Sequence, residues 1–212
     1  MTSGEIGRSL FLQNKLPFAT PRKKFWVLGD LHPRFSSHHQ IFQGTSFQET
    51  THLAEADFIY ISIPHIGGED QVDPELFRNQ LVPLKEFRLP MICPNPDRFA
   101  HEGFPPRAVV RQGTIASLYE DLGGQVFYIG KPYAMAYTAA MEQFAHYQMK
   151  NIADVLMVGD TPETDIRGAR QFGMSAALVM QTGIMADRIA HSNFASVFHS
   201  LDSKAKPDYY IE

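Results

Sequence analysis

The sequence predicts an α/β fold built on a parallel sheet, and three observations point there. Short, near-continuous apolar runs at 126–129, 155–158 and 176–179 alternate with amphipathic stretches of helical length. Strands of that kind are buried on both faces, as in a parallel sheet covered by helices. Two of these runs end in a glycine followed by a charged residue, Gly130-Lys131 and Gly159-Asp160. Third, the texture changes near residue 110, from short apolar runs broken by Pro, His, Ser and Gly to a regular strand–helix alternation.

Taken in order, residues 6–12 form a candidate helix, and Pro17 and Pro21 make a linker. Phe25-Trp26-Val27-Leu28 reads as a strand ended by Gly29-Asp30, and Phe58-Ile59-Tyr60-Ile61 as a second ended near Pro64. Asp73-Pro74-Glu75 opens a helix, with Asp as N-cap, Pro at the first position and Glu in the first turn. Leu76, Leu81 and Leu84 are expected on its buried face. Met91-Ile92-Cys93 is a third strand, and Pro94-Asn95-Pro96-Asp97 turns sharply after it. Beyond 110 come a helix over 113–122 closed by Gly123-Gly124, a strand, a helix over 133–148, and the strand 155–158. Thr161-Pro162-Glu163 opens a further helix that closes at Gly173, the strand 176–179 follows, and Tyr209-Tyr210-Ile211 is a final edge strand.

Composition narrows the function. The chain has 212 residues, 44% hydrophobic and 20% charged, with a formal net charge of -4. No basic block invites nucleic acid or an anionic membrane. An acidic protein that binds phosphate esters must offset its charge locally, with a metal, a lysine or a helix N-terminus. Cys93 is the single cysteine, so no internal disulfide and no cysteine-based zinc site can form; its apolar surroundings read as core. No apolar run approaches the roughly 18 residues of a membrane helix. The N-terminus lacks the basic start and apolar core of a signal peptide, so a cytoplasmic protein is expected.

Two positions carry candidate chemistry because each follows the C-terminal end of a predicted parallel strand, where open α/β sheets hold their ligands. Asp160 ends one strand, and Asp165 lies a helical turn further on; two carboxylates so placed suit a hard cation such as Mg²⁺. The plain alternative is that Asp160 caps a helix and Asp165 is solvated. Lys131 precedes a helix, where the dipole disfavours a cation unless an anion is bound; the alternative is a surface lysine in a loop. His32, His38, His39, His52 and His65 show no metal-ligand spacing such as HExxH, so no histidine metal site is expected.

An apolar strand ending in GDxxxTD, preceded by about thirty residues with a GKP, resembles two motifs of the haloacid dehalogenase-like (HAD) superfamily. The GKP form, the cap-like stretch before residue 110 and Asn95-Pro96-Asp97 are similar to subfamily IIA, the NagD-like branch. So are Thr2-Ser3-Gly4-Glu5, the helix led by Gly113 and the tail Pro207-Asp208-Tyr209-Tyr210-Ile211. The resemblance implies a HAD-like Rossmannoid core over 1–22 and 111–212, incomplete at its N-terminus, with an α/β cap over 23–110. It implies a Mg²⁺-dependent phosphatase of a small phosphorylated metabolite, and a possible homodimer. Lys131 would screen phosphate and nucleophile, Asp160 and Asp165 would hold the metal, and Asn95, Asp97 and Gly113 would meet substrate. The superfamily's nucleophile belongs to a DxD pair after the first core strand, and no such pair occurs in this sequence. The chain is therefore expected to be inactive by itself, the alternative being a non-catalytic binding or partner-stabilising module. The strand over 155–158, whose neighbour in that family is the nucleophile strand, is expected to be left as a sheet edge.

Overall fold

A computed structural model describes residues 2–35, 38–104 and 107–212. The chain divides into two compact units, Met1–Gly130 and Lys131–Glu212.

The first unit opens with helix α1 (Ser3–Leu12), which starts earlier than the apolar pattern suggested. Thr2 and Glu5 explain this. The Thr2 hydroxyl accepts from the Glu5 N–H at 3.2 Å, and the Glu5 carboxylate accepts from the Thr2 N–H at 2.6 Å, a capping box that satisfies two orphan donors. Strands β1 (Lys24–Leu28), β2 (Gln48–Glu49), β3 (Phe58–Ile61) and β4 (Met91–Cys93) belong to one sheet. Helix α2 (His39–Phe42) lies between β1 and β2, and helix α3 (Arg78–Leu81) between β3 and β4. Strands β5 (Phe99–Glu102) and β6 (Arg107–Val110) form an antiparallel pair, and helix α4 (Gln112–Asp121) leads to strand β7 (Val126–Tyr128). The sheet runs β2-β1-β3-β4-β7, all parallel.

The place of β7 and α4 differs from the sequence expectation of a boundary at residue 110. Met91 pairs with Val126 and Cys93 with Tyr128, so β7 completes the first unit's sheet. Ile115, Leu118 and Tyr119 of α4 share a buried cluster with Ile59, Met91 and Cys93. The chain changes unit only after Gly130. On the other face Phe11, Phe25, Phe42 and Phe58 stack, with Phe25 and Phe42 centroids 3.8 Å apart. The helix expected from Asp73 is broken into 3₁₀ turns around α3, because Pro83 supplies no N–H to the helical ladder. In the turn Pro74–Phe77 ahead of α3, Leu76 is 50% exposed and Phe77 lies inward with Leu81 and Leu84.

A buried ionic network ties the loops of this unit. Asp70 pairs with Arg34, and with Arg111 at 2.8 Å; Arg111 also holds Glu102 at 2.9 Å. Burial alone would raise the Asp70 carboxyl, but the Arg111 hydrogen bond and the charges of Arg111, Arg34 and His32 outweigh it and hold it below the usual range.

The second unit holds helix α5 (Ala134–His146), strand β8 (Leu156–Gly159), helix α6 (Arg167–Phe172), strand β9 (Ser175–Val179), helices α7 (Gly183–Ala190) and α8 (Phe194–Ser200), and strand β10 (Tyr209–Ile211). Its sheet is parallel, ordered β10-β9-β8. Asp208 fixes β10: one carboxylate oxygen accepts the Ala176 N–H at 2.9 Å and the other pairs with Arg170. The core gathers Tyr137, Ile166, Ala176, Leu178 and Met185. β8 is a sheet edge, as expected, and its Leu156 and Val158 are 46% and 49% exposed. Among the described residues no helix is long and apolar enough to cross a membrane.

Two outcomes follow. Asp70→Asn, which leaves the buried Arg111 with Glu102 as its remaining carboxylate, should cost about 1–3 kcal/mol in urea unfolding. Because the folded carboxyl titrates below its unfolded value, this stabilisation is present above about pH 4 and fades on acidification through the folded pKa, so Asp70→Asn should flatten the acid limb. Leu156→Lys or Val158→Lys should reduce self-association in sedimentation at high protein concentration, since charge on an exposed apolar edge blocks strand pairing.

Candidate phosphate and metal site

The carboxyl end of β8 brings Lys131, Asp160 and Asp165 together. After Gly159 the chain passes through Asp160 and Thr161 into one π-helical turn, Pro162–Ile166, that runs on into α6. This turn carries Asp165 back over the strand end, where it is buried. One Asp165 oxygen pairs with the Lys131 ammonium, and the other accepts the Thr161 N–H at 3.1 Å. Gly159 is required by this close approach: a Cβ there would lie 2.2 Å from the Asp165 carboxylate. Asp165 is buried and not solvated, and the N-cap position of this turn is held by Thr161 in place of Asp160.

Asp160 is half-buried. Its Oδ2 accepts the Ile184 N–H at 2.9 Å, at the start of α7, and its Oδ1 accepts the Thr161 hydroxyl at 3.3 Å. Gly183 makes room for it; φ is +57°, and a Cβ would fall 1.5 Å from Asp160 Oδ2. The sequence reading passed over Gly183 and Ile184, although a glycine just after a predicted strand is the kind of signal that marks such a turn.

Tyr137 braces the turn from α5. Its hydroxyl donates to the carbonyls of Thr164 and Asp165 at 3.1 and 3.2 Å, and burial followed by the Asp165 charge pushes its pKa up. Gly168 lets this happen, since a Cβ there would lie 2.3 Å from the Tyr137 hydroxyl and 2.7 Å from Pro132 Cα. Glu163 and Arg188 add a two-pronged ion pair at 2.8 and 3.0 Å.

The donor set fits a hard divalent cation through Asp160, whose partly exposed carboxylate keeps lone pairs free beyond its two hydrogen bonds. Asp165 is more buried and likewise has one partner on each oxygen, so it holds Lys131 and the Thr161 N–H beside Asp160. The Lys131 side chain is 45% exposed, leaving donors for an anion.

The other three residues singled out from sequence meet in the first unit. Asn95 Oδ1 accepts the Asp97 N–H at 3.4 Å, and the Asp97 carbonyl accepts the Gly113 N–H at 2.9 Å. A Cβ at Gly113 would sit 1.9 Å from the Pro96 carbonyl oxygen, so α4 can start against this turn only with glycine. Asn95 also borders a cavity of about 150 Å³ at the carboxyl ends of β1, β3 and β4.

Comparison with known proteins gives a consistent picture. Residues 128–211 match the model of the HAD-hydrolase-like family. A haloacid dehalogenase-like hydrolase from Brucella suis 1330 superposes with a TM-score of 0.70 at 27% identity, over 89% of this chain and 66% of that one. A p-nitrophenyl phosphatase from Archaeoglobus fulgidus gives 0.68 at 18% identity, covering 100% of this chain and 70% of its own. A magnesium complex of a glycerol phosphate phosphatase from Mycobacterium tuberculosis gives 0.64 at 17%, covering 100% and 55%. The chain thus spans 55% to 70% of the length of these structures. No curated protein sequence matches it.

Gly183→Ala should disturb Asp160 as well as strain the backbone. It should destabilise by more than the roughly 1–2 kcal/mol expected of a left-handed residue alone. Gly173→Ala, at φ +86° with open space where its Cβ would go, should show only that backbone cost. Thermal unfolding of the two variants side by side checks this.

Proposed function

We propose that this chain, which belongs to the haloacid dehalogenase-like superfamily, carries the lysine and metal-ligand half of a Mg²⁺-dependent phosphomonoester hydrolase of the subfamily IIA type, acting on a small phosphorylated metabolite. The observation that supports this most is the convergence of Lys131, Asp160 and Asp165 at the end of β8. Lys131 stands three residues before α5, where the helix dipole and the ammonium both favour an anion. Asp165 aims the ammonium and orders Thr161. Asp160 would hold Mg²⁺, which would supply charge neutralisation for a phosphoryl group.

Asn95, bordering the first unit's cavity, is assigned the substrate contact, with Asp97 and Gly113 building its turn. A cytoplasmic location and a homodimer belong to the same reading.

No two aspartates in the 212 residues stand two apart, so the nucleophile pair is not among them. By themselves these residues bind metal and phosphate ester without appreciable hydrolysis, since loss of a covalent nucleophile costs on the order of 10⁶ in rate where measured in a serine enzyme. That same sequence fact favours a second reading, a binding module derived from such a phosphatase.

Mg²⁺ titration with a thermal-shift readout tests the site. At Mg²⁺ a hundredfold above Kd, stabilisation of about 2.7 kcal/mol is expected, and Asp160→Asn should remove it. Absence of any Mg²⁺ effect overturns the metal assignment. Robust Mg²⁺-dependent turnover of p-nitrophenyl phosphate by these residues, abolished by Asp160→Asn, overturns the claim of inactivity and places a nucleophile elsewhere in the chain.

A further inference from the structure

Residue spacing offers no reason to expect a histidine metal site, yet the fold of the first unit gathers one set of donors. His38 immediately precedes α2, His39 is the first residue of α2, and Glu49 ends β2, the edge strand of the five-stranded sheet. His38 Nε2 lies 2.8 Å and His39 Nε2 3.5 Å from the same Glu49 oxygen, Oε2. Among the described residues this is the one group of three His, Cys, Asp or Glu side chains whose donor atoms all fall within 4.8 Å of one another.

We propose that His38, His39 and Glu49 form a divalent-cation site of zinc type that clips α2 to the edge strand β2. Bonds of about 2.0–2.1 Å in a tetrahedral zinc site put ligand atoms roughly 3.3 Å apart. The two nitrogen-to-oxygen separations, 2.8 and 3.5 Å, bracket that value, and all three donor atoms lie within 4.8 Å of one another, so side-chain rotations would complete the geometry.

The site is also built. The His38 side chain is 5% exposed and its ring is held edge-on by Phe25 at 6.2 Å, by Phe42 at 6.5 Å and against Tyr60 at 6.1 Å. One ligand is thereby fixed before metal arrives. His39 and Glu49, with side chains 60% and 42% exposed, give the ion an entry path and leave a coordination position for water. With neutral imidazoles the cluster carries the single negative charge of Glu49, which favours a cation. Two imidazole nitrogens select zinc-type ions over Mg²⁺, which takes oxygen ligands. The chemistry is thus distinct from that of Asp160, and the inference stands apart from the phosphatase reading.

The test is Co²⁺ and Zn²⁺ titration of tag-free full chain. Co²⁺ should bind with the visible bands of a nitrogen-ligated, four-coordinate ion, be displaced by one equivalent of Zn²⁺, and resist excess Mg²⁺. His39→Ala and Glu49→Gln, both at exposed side chains, should keep the metal-free thermal midpoint. Each should weaken binding at least about tenfold, since even outer-partner changes cost 10- to 100-fold. Asp160→Asn should leave the Co²⁺ spectrum unchanged. Absence of Co²⁺ bands, or binding that survives both His39→Ala and Glu49→Gln, overturns the proposal and leaves these residues as a hydrogen-bonded ion pair.

Discussion

The burial of one carboxylate, Asp165, organises the second unit. A charge taken out of water needs an opposite charge and hydrogen bonds to its lone pairs, or it is too costly to keep. Asp165 meets that demand with the Lys131 ammonium on one oxygen and the Thr161 N–H on the other. The surrounding residues follow from it. Gly159 must lack a side chain so that the carboxylate can lie on the strand end, and Gly168 must lack one so that Tyr137 can reach the turn's carbonyls. The π-helical turn at Pro162–Ile166 supplies the extra backbone that swings Asp165 over β8. Lys131 is therefore anchored, not loose, and Asp160 beside it keeps the freer carboxylate.

That arrangement was partly legible in the sequence, and the reason is local. Gly159, Asp160 and Asp165 sit within seven residues of one strand end, so spacing alone brought the two carboxylates to one crest. The apolar runs at 25–28, 58–61, 91–93 and 176–179 gave their strands with small boundary shifts. What spacing could not give was partnership. The run at 126–129 looks like any buried strand, and only its pairing with Met91–Cys93 places it in the first unit's sheet and moves the division of the chain from 110 to 130. Leu76 fits a helical face, but its segment, Pro74–Phe77, is a 3₁₀ turn that puts Phe77 inward in its place. Glu49 and His38 are eleven residues apart with no motif between them, and a short helix followed by a two-residue strand is too weak a pattern to read.

Each unit buries a carboxylate against a partly exposed cation. In the first, Asp70 is enclosed by Arg111, Arg34 and His32, and Arg111 reaches on to Glu102, so one buried carboxylate ties several loops together. In the second, the Lys131–Asp165 pair leaves the ammonium nearly half exposed and Asp160 only half-buried. What separates them is place: Asp70 ties loops together, whereas Lys131, Asp160 and Asp165 stand at the end of a strand, where open α/β sheets hold their ligands.

The edge position of β8 bears on that site directly. Strand β8 has β9 on one side, and its Leu156 and Val158 are about half exposed. A strand that paired in parallel with the open edge would lie about 4.8 Å away and end on the same crest as Asp160. The residue following such a strand would then stand beside the Asp160 carboxylate, with Lys131 held close by through Asp165. An antiparallel partner would instead present its N-terminal end there and direct its C-terminal end away. A parallel partner alone would therefore extend the sheet and bring its own C-terminal end beside Asp160. The exposed Leu156 and Val158 of β8 would favour such pairing, and the lysine and aspartates at the strand end determine what the partner's last residue would meet.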